Sequence, residues 1–199
     1  MHAWAFAIAI PAGILLIIFA NGAAARTAAA IYASTLVLVF GTSAAYHRLA
    51  RTEQTRRILQ RLDHSMIYLL IAGTYVPVCL VALPRAWGIS MLSVVGAMAA
   101  LGIAIKLGGI RRLYWLGYAL YPVMGWALIV TAPVLTDSLT GTELALIVAG
   151  GIAYTVGFPV LLIKRPNPWP MTFGYHEVWH GFTVVAAVLH FAAVSNVLA

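Results

Sequence analysis

Seven long apolar stretches account for most of this 199-residue sequence, and the connections between them are short. A helix that crosses the hydrocarbon core of a bilayer, roughly 30 Å thick, needs about 20 mostly apolar residues. We predict crossings at about residues 3–20, 28–46, 62–83, 89–107, 113–134, 144–163 and 173–197. Backbone groups in lipid must be hydrogen-bonded internally, and the stretches lack the period-2 alternation of a membrane barrel. The sequence therefore predicts an all-α integral membrane bundle of seven helices, forming a single transmembrane domain over residues 1–199.

Polar residues are too few in this chain to coat a water-exposed surface. Hydrophobic residues make up 63% of the sequence and charged residues 9%, whereas a soluble domain carries about a quarter charged residues. This composition excludes a soluble enzyme, a disordered segment and a nucleic-acid-binding domain, although the net charge is +7. The one cysteine, Cys79, excludes an intrachain disulfide framework. Because no Lys or Arg precedes the first apolar stretch, we expect a retained helix and not a cleaved signal peptide.

The basic residues are distributed unevenly between the two sets of connections. Ten of the twelve belong to the second-to-third, fourth-to-fifth and sixth-to-seventh connections, at positions 48, 51, 56, 57, 61, 106, 111, 112, 164 and 165. The opposite connections hold Arg26 and Arg85. Short loops rich in Lys and Arg stay in the cytoplasm. The count predicts a cytoplasmic N-terminus and an external C-terminus, and the basic loops suit anionic lipids of the inner leaflet.

Four ionisable residues are predicted near the cytoplasmic boundary, where such residues are costly and mark functional sites. His47 ends helix 2, Asp63 starts helix 3, and His176 and His180 lie in the first two turns of helix 7. The i, i+4 spacing places the last two imidazoles on one helix face, about 6 Å apart at Cβ. With His47 they can hold one metal ion and leave a fourth position for water, as in catalytic zinc sites. Three suitably placed histidines, in a chain with one cysteine, favour Zn²⁺.

Two further side chains are candidates for chemistry at this site. Ser43 precedes His47 by one helical turn, so its hydroxyl can bond an imidazole or a metal-bound water. Asp63 is an acceptor when ionised and could orient a ligand, hold the water or accept its proton. We therefore predict Asp63 and Ser43 as catalytic residues beside the metal ligands.

The segment from residue 176 to residue 180 also matches H-E-x-x-H, the helix motif of zinc proteases, in which Glu177 would be the general base. The next histidine, His190, lies ten residues further on, about 15 Å along a continuous helix and out of reach of the same ion. An intramembrane protease that takes its third ligand from an earlier helix stays open. We expect His190 to be a packing or interface histidine and His64 to contact a basic loop or a neighbouring helix. His2 is expected to lie among lipid headgroups.

Glycine and proline within the spans predict local features of the helices. Five glycines are expected to permit close helix approach: Gly73, Gly102, Gly125, Gly150 and Gly151. Three prolines are expected to kink their helices or to open a cavity: Pro77, Pro122 and Pro159.

Several of these motifs, taken in order, resemble the hemolysin III family. The motifs are residues 41–48 with Ser43-x-x-x-His47, residues 62–65 running into 72–77, residues 121–126, and His176-x-x-x-His180 followed by residues 190–191. That family belongs with the progestin and adipoQ receptors, including the adiponectin receptors, and more distantly with alkaline ceramidases. The resemblance covers nearly the whole chain.

The resemblance implies a seven-helix bundle that holds zinc on its cytoplasmic side. It places His47, His176 and His180 at the ligand positions, with Ser43 and Asp63 near the zinc-bound water. The eukaryotic relatives are associated with hydrolysis of lipid amides such as ceramide, and the bacterial branch with haemolytic pore formation or membrane-lipid homeostasis. The chain lacks the long N-terminal cytoplasmic domain of the adiponectin receptors, so hormone binding is not expected. Its short loops favour a bacterial inner membrane.

Two functions from different classes follow from this reading. The first is a zinc-dependent hydrolase whose substrate is a lipid amide that enters sideways from the bilayer. The second is a non-enzymatic membrane sensor or pore in which zinc clamps helices 2 and 7. In both cases the expected partners are membrane lipids and not nucleic acid.

Overall fold

The computed structural model describes residues 2–169 and 172–199, and seven of its helical segments are long and apolar enough to cross a membrane. In chain order they are α1 (His2–Phe19), α2 (Gly22–Leu49), α3 (Glu53–Ala82), α4 (Arg85–Gly108), α5 (Arg111–Ser138), α6 (Gly141–Ile163) and α7 (Tyr175–Leu198). The predicted all-α bundle of seven membrane helices is confirmed.

The helices at one end of the bundle extend well beyond the apolar stretches. α3 begins at Glu53 and not near residue 62, because the Thr52 side chain accepts a hydrogen bond from the Thr55 amide (3.1 Å) and caps the helix. The first turns of α3 therefore carry arginines that we predicted to lie in the connection between the second and third helices. One of them, Arg61, donates to the carbonyl of Leu107 (3.1 Å) at the end of α4. We call this end, where α2, α4 and α6 finish, the basic end.

Two of the seven segments are irregular. The last turn of α3, Val78–Ala82, is a π-helix that follows Pro77 directly, as expected where proline removes a backbone donor. In α5 the α-helix Tyr114–Trp126 is preceded by the 3₁₀ stretch Arg111–Leu113 and followed by the 3₁₀ stretch Ala127–Thr131. The backbone of α5 is thus wound more tightly at these two stretches than in the α-helix between them.

A buried tyrosine satisfies the backbone where α5 changes its winding. The Tyr75 hydroxyl of α3 donates to the carbonyl of Met124 (2.5 Å) and accepts from the amide of Leu128 (3.0 Å). Backbone groups freed in a membrane interior need such partners. This pair of bonds fixes α5 against α3.

The interior has two apolar clusters. One joins α1, α2 and α7, with Tyr32 fully buried at its centre. The other joins α3, α4 and α5 around Tyr68, Val95 and Met124. At the end opposite the basic end, the Asn21 amide donates to the carbonyl of Leu198 (2.9 Å), which ties the α1–α2 turn to the end of α7.

Three of the five predicted glycines lie at close helix contacts. A Cβ on Gly73 would lie 2.5 Å from Oγ1 of Thr35, and one on Gly102 or Gly150 would overlap the ring of Tyr68 or His190. The prediction is wrong for Gly125, where a Cβ would meet none of the described atoms within 4 Å. Gly151 makes an ordinary contact with Trp126, at 3.7 Å from the added Cβ. Of these five glycines, Gly73 permits close approach of α2 and α3, Gly102 of α3 and α4, and Gly150 of α6 and α7.

We predict that Gly73→Ala lowers the free energy of unfolding by about 1–3 kcal/mol, because the added methyl forces α2 and α3 apart at Thr35. Gly96→Ala on the exposed face of α4 is the control, since its Cβ would meet none of the described atoms within 4 Å. Thermal unfolding of both variants in detergent measures the difference. Equal melting temperatures for the two variants would contradict the close contact.

Candidate metal centre

Three imidazoles converge at the basic end, from α2 and α7. His47 lies in the last turn of α2, and His176 and His180 lie in the first two turns of α7. One ring nitrogen of each lies within 4.8 Å of the others, and the Nε2 atoms of His47 and His176 are 3.2 Å apart. The i, i+4 pair is close, with ring centroids 4.3 Å apart. The fold thus brings together three side chains that could hold a metal ion.

The geometry of His180 fits an occupied metal site. Its Nε2 atom is buried and has no hydrogen-bond partner among the residues that the structure describes. Leaving a buried polar atom unpaired costs about 1–3 kcal/mol, so such an atom in a native protein calls for a partner such as a water molecule or an ion. Neutral imidazole nitrogens are suitable donors for Zn²⁺ and other borderline ions. The donor set and the unpaired nitrogen both match a bound cation.

The three histidines of the cluster differ in how deeply they are buried. His47 is exposed, His176 is half-buried and His180 is buried, with 8% of its surface accessible. An ion held by all three would face the basic end on one side and the bundle interior on the other.

The structure places His2 in the same site, so the expectation that it lies among headgroups is wrong. Its Nε2 is 2.5 Å from Nδ1 of His180, and its Nδ1 is 2.6 Å from Oγ of Ser43. The ring also packs edge-on against Phe40. Six crossings, an even number, separate the start of α1 from the start of α7, so both starts lie at the same end of the bundle. This number of crossings can be read from the sequence, and it was the signal that could have placed His2 at the same end as the other three histidines.

Ser43 and Asp63 lie together on the interior side of the histidines. Ser43 is 2% accessible, and the Asp63 carboxyl is adjacent to its hydroxyl. Asp63 lies well inside α3 and not at its start, because the helix begins at Glu53. The Asp63 carboxyl lies beside the Ser43 hydroxyl, and Asp63 is not a member of the group of three imidazoles. The catalytic roles of Ser43 and Asp63 stay predictions.

The other candidate residues have separate partners. The Glu177 carboxylate accepts from the amide of Gly174 (2.9 Å), so it caps the start of α7, where a negative charge suits the helix dipole. The His190 ring bonds the carbonyl of Ile147 (3.2 Å). The carbonyl of His64 accepts from a tyrosine hydroxyl of α5 (2.9 Å).

A cavity of about 290 Å³ extends from the site into the bundle. Its polar end is formed by Ser43, Asp63 and His180, and its other walls, from α3, α5 and α6, are mainly apolar. At mid-depth the Trp126 indole donates to the Thr155 hydroxyl (2.9 Å) across the α5–α6 gap. α6 packs mainly on α7 and touches α5 sparsely. The cavity is therefore bounded on one side by a loosely packed pair of helices.

Comparison with known proteins agrees with this architecture. A family model described as haemolysin-III related matches residues 1–191. The chain is 33% identical over 196 residues to "Hemolysin-3 homolog" of Bacillus subtilis (strain 168), covering 97% of this chain and 89% of the relative. It is 34% identical over 190 residues to "Hemolysin-3" of Bacillus cereus, covering 94% and 84%. The chain therefore belongs to the haemolysin III family and is a multi-pass protein of the bacterial cell membrane.

Proposed function

We propose that this protein is a zinc-dependent hydrolase that cleaves a lipid amide and serves membrane lipid homeostasis. The observation that carries the proposal is the buried Nε2 of His180, which has no hydrogen-bond partner in the described part of the chain. His180 belongs to a three-imidazole cluster and lines a largely apolar cavity. A lipid substrate has the same division, with a polar amide at one end and acyl chains at the other.

Three side chains would hold the ion: His47, His176 and His180. Zinc, when bound, lowers the pKa of its water toward about 7 and polarises the substrate carbonyl. Three imidazoles form one of the ligand sets of catalytic zinc sites, in which a fourth position stays open.

The adjacent Ser43 and Asp63 supply the proton chemistry of the proposal. Asp63 accepts the proton of the attacking water, because an ionised carboxylate is an acceptor and lies on the interior side of the site. Ser43, buried beside it, positions the water or the amide by hydrogen bonding. The apolar walls keep bulk water from the acyl side.

The shape of the cavity supports a lipid as substrate. Its volume of about 290 Å³ lies just below the range for ligand pockets, about 300–1,000 Å³. Apolar walls from α5 and α6 suit an acyl chain, and the sparse α5–α6 contact provides an entry route from the bilayer. The amide would then lie against Ser43 and Asp63.

The charge distribution supports a cytoplasmic location for the site. Ten of the twelve Lys and Arg residues lie at the basic end, together with the three histidines. Because basic segments remain in the cytoplasm, the N-terminus would be cytoplasmic and the C-terminus external.

One observation favours a second candidate, a non-enzymatic sensor or pore with structural zinc. α2 and α7 contact each other directly at few places, so an ion shared by His47 and the α7 histidines would clamp them. The protease alternative has less support, because the Glu177 carboxylate already caps α7.

We predict that the purified protein binds one zinc ion per chain and that His180→Ala weakens zinc affinity by more than about a hundredfold, because it removes a ligand nitrogen. His64→Gln is the control, since His64 lies outside the cluster. Metal analysis measures the number of zinc ions per chain, and competition with a chelator measures the zinc affinity of the wild type and of each variant. A wild type without zinc, or equal losses in the two variants, would contradict the assigned ligands.

We predict that Asp63→Asn lowers fatty-acid release from lipid amides by about 10²–10⁴-fold while zinc stays bound, as expected for loss of a general base. Glu177→Gln is the control and should keep most activity, because a glutamine oxygen can still accept from the Gly174 amide. Mass spectrometry of a panel of ceramides and other N-acyl lipids gives the readout.

Two outcomes of that experiment would count against the hydrolase. Zinc-loaded wild type that releases no fatty acid from any panel member, but melts at a lower temperature with a chelator, would favour the clamp. Loss of activity in Glu177→Gln with Asp63→Asn unaffected would contradict the assigned mechanism, because Glu177 and not Asp63 would then be the general base.

A further inference from the structure

We propose that His2 is a positioning residue that orients His180 as a metal ligand and links it to Ser43 and Asp63. The proposal rests on the proposed metal site. It gives α1, which contributes no member of the three-histidine cluster, a direct part in that site.

The contacts of His2 occupy both of its ring nitrogens. Nε2 lies 2.5 Å from Nδ1 of His180, with the two rings nearly perpendicular and their centroids 3.7 Å apart. Nδ1 lies 2.6 Å from Oγ of Ser43. Phe40 packs edge-on against the ring at 5.5 Å between centroids and limits its rotation. His2 is therefore engaged on three sides.

The unpaired nitrogen of His180 fixes the direction of these hydrogen bonds. A neutral imidazole has one N–H donor and one bare acceptor nitrogen. To bind a metal, Nε2 of His180 must be bare, so its proton lies on Nδ1 and is donated to Nε2 of His2. The proton of His2 then lies on Nδ1 and is donated to Oγ of Ser43. The Ser43 hydroxyl is left with its own proton to turn toward Asp63.

The result is a chain of donors from His180 through His2 to Ser43, with the Asp63 carboxyl beside the last hydroxyl. Metal-binding histidines generally donate their second ring N–H to an acceptor that holds the ring and raises its basicity. In most such sites the acceptor is a carboxylate, a carbonyl or water. Here it is an imidazole from another helix, whose proton is in turn fixed by Ser43.

His2 is better suited to this role than to that of a fourth ligand. Its Nε2 faces His180 and its Nδ1 faces Ser43, so neither nitrogen is directed at an ion. Among the described residues, the group of ligand atoms within 4.8 Å of one another consists of His47, His176 and His180.

A matched pair of variants tests the proposal in the full-length protein in detergent. The side-chain oxygen of His2→Gln can accept from Nδ1 of His180, whereas His2→Leu has similar bulk without an acceptor. We expect Zn²⁺ affinity, measured by chelator competition, to fall 10–100-fold in His2→Leu and to recover to within a few-fold of wild type in His2→Gln. With Co²⁺ as probe, the visible absorption of the glutamine variant should match wild type and that of the leucine variant should shift.

The outcomes separate this proposal from the proposed function. If both variants bind Zn²⁺ as wild type does, His2 does not position His180. If both lose affinity equally, His2 acts as a ligand or only through packing, and the positioning role is again overturned. A wild type that binds no Zn²⁺ overturns the metal site itself. Melting temperatures of the metal-free variants, expected to equal that of metal-free wild type, separate loss of affinity from loss of fold.

Discussion

The convergence of imidazole nitrogens at the basic end is the constraint on which the account of this protein depends. A buried polar atom without a partner is expensive, and more so in a bundle surrounded by lipid. Within the described residues, Nε2 of His180 nevertheless has no hydrogen-bond partner, and one ring nitrogen of His180 lies within 4.8 Å of a ring nitrogen of His47 and of His176. A cation bound by these nitrogens would remove that cost, and it would hold the last turn of α2 to the first turns of α7.

The remainder of the bundle supports this convergence. Gly73 lets α2 approach α3 closely at Thr35, which places Ser43 and Asp63 side by side. α1 is tied to α7 at both ends, through His2 at the site and through the Asn21 turn at the opposite end. The looser packing of α5 against α6 borders the cavity. Rigid packing around the histidines is thus combined with a weakly packed wall toward the lipid.

Much of this arrangement could be predicted from the sequence. Apolar length alone specified the seven helices, because the bilayer sets the length of a crossing. The i, i+4 spacing of His176 and His180, together with the alternating direction of the crossings, predicted that His47 would join them. These inferences depend on local spacing and on parity, both of which can be read from one sequence.

Other features could not be read in this way. The start of α3 depends on a cap at Thr52. The charged residues that follow this cap also favour a helix, so α3 extends beyond the apolar stretch. The role of His2 depends on α1 packing next to α7, a contact between the two ends of the chain that periodicity does not encode. The H-E-x-x-H motif alone did not distinguish a helix cap from a catalytic base at Glu177, because either role uses the same carboxylate.

X-ray absorption spectroscopy at the zinc edge on the purified protein tests the central claim most directly. The account predicts a first shell of three imidazole nitrogens at about 2.0–2.1 Å, with one further light-atom ligand, and loss of one imidazole in His180→Ala. A shell with sulfur, a shell of oxygen atoms alone, or a spectrum unchanged in His180→Ala would contradict it.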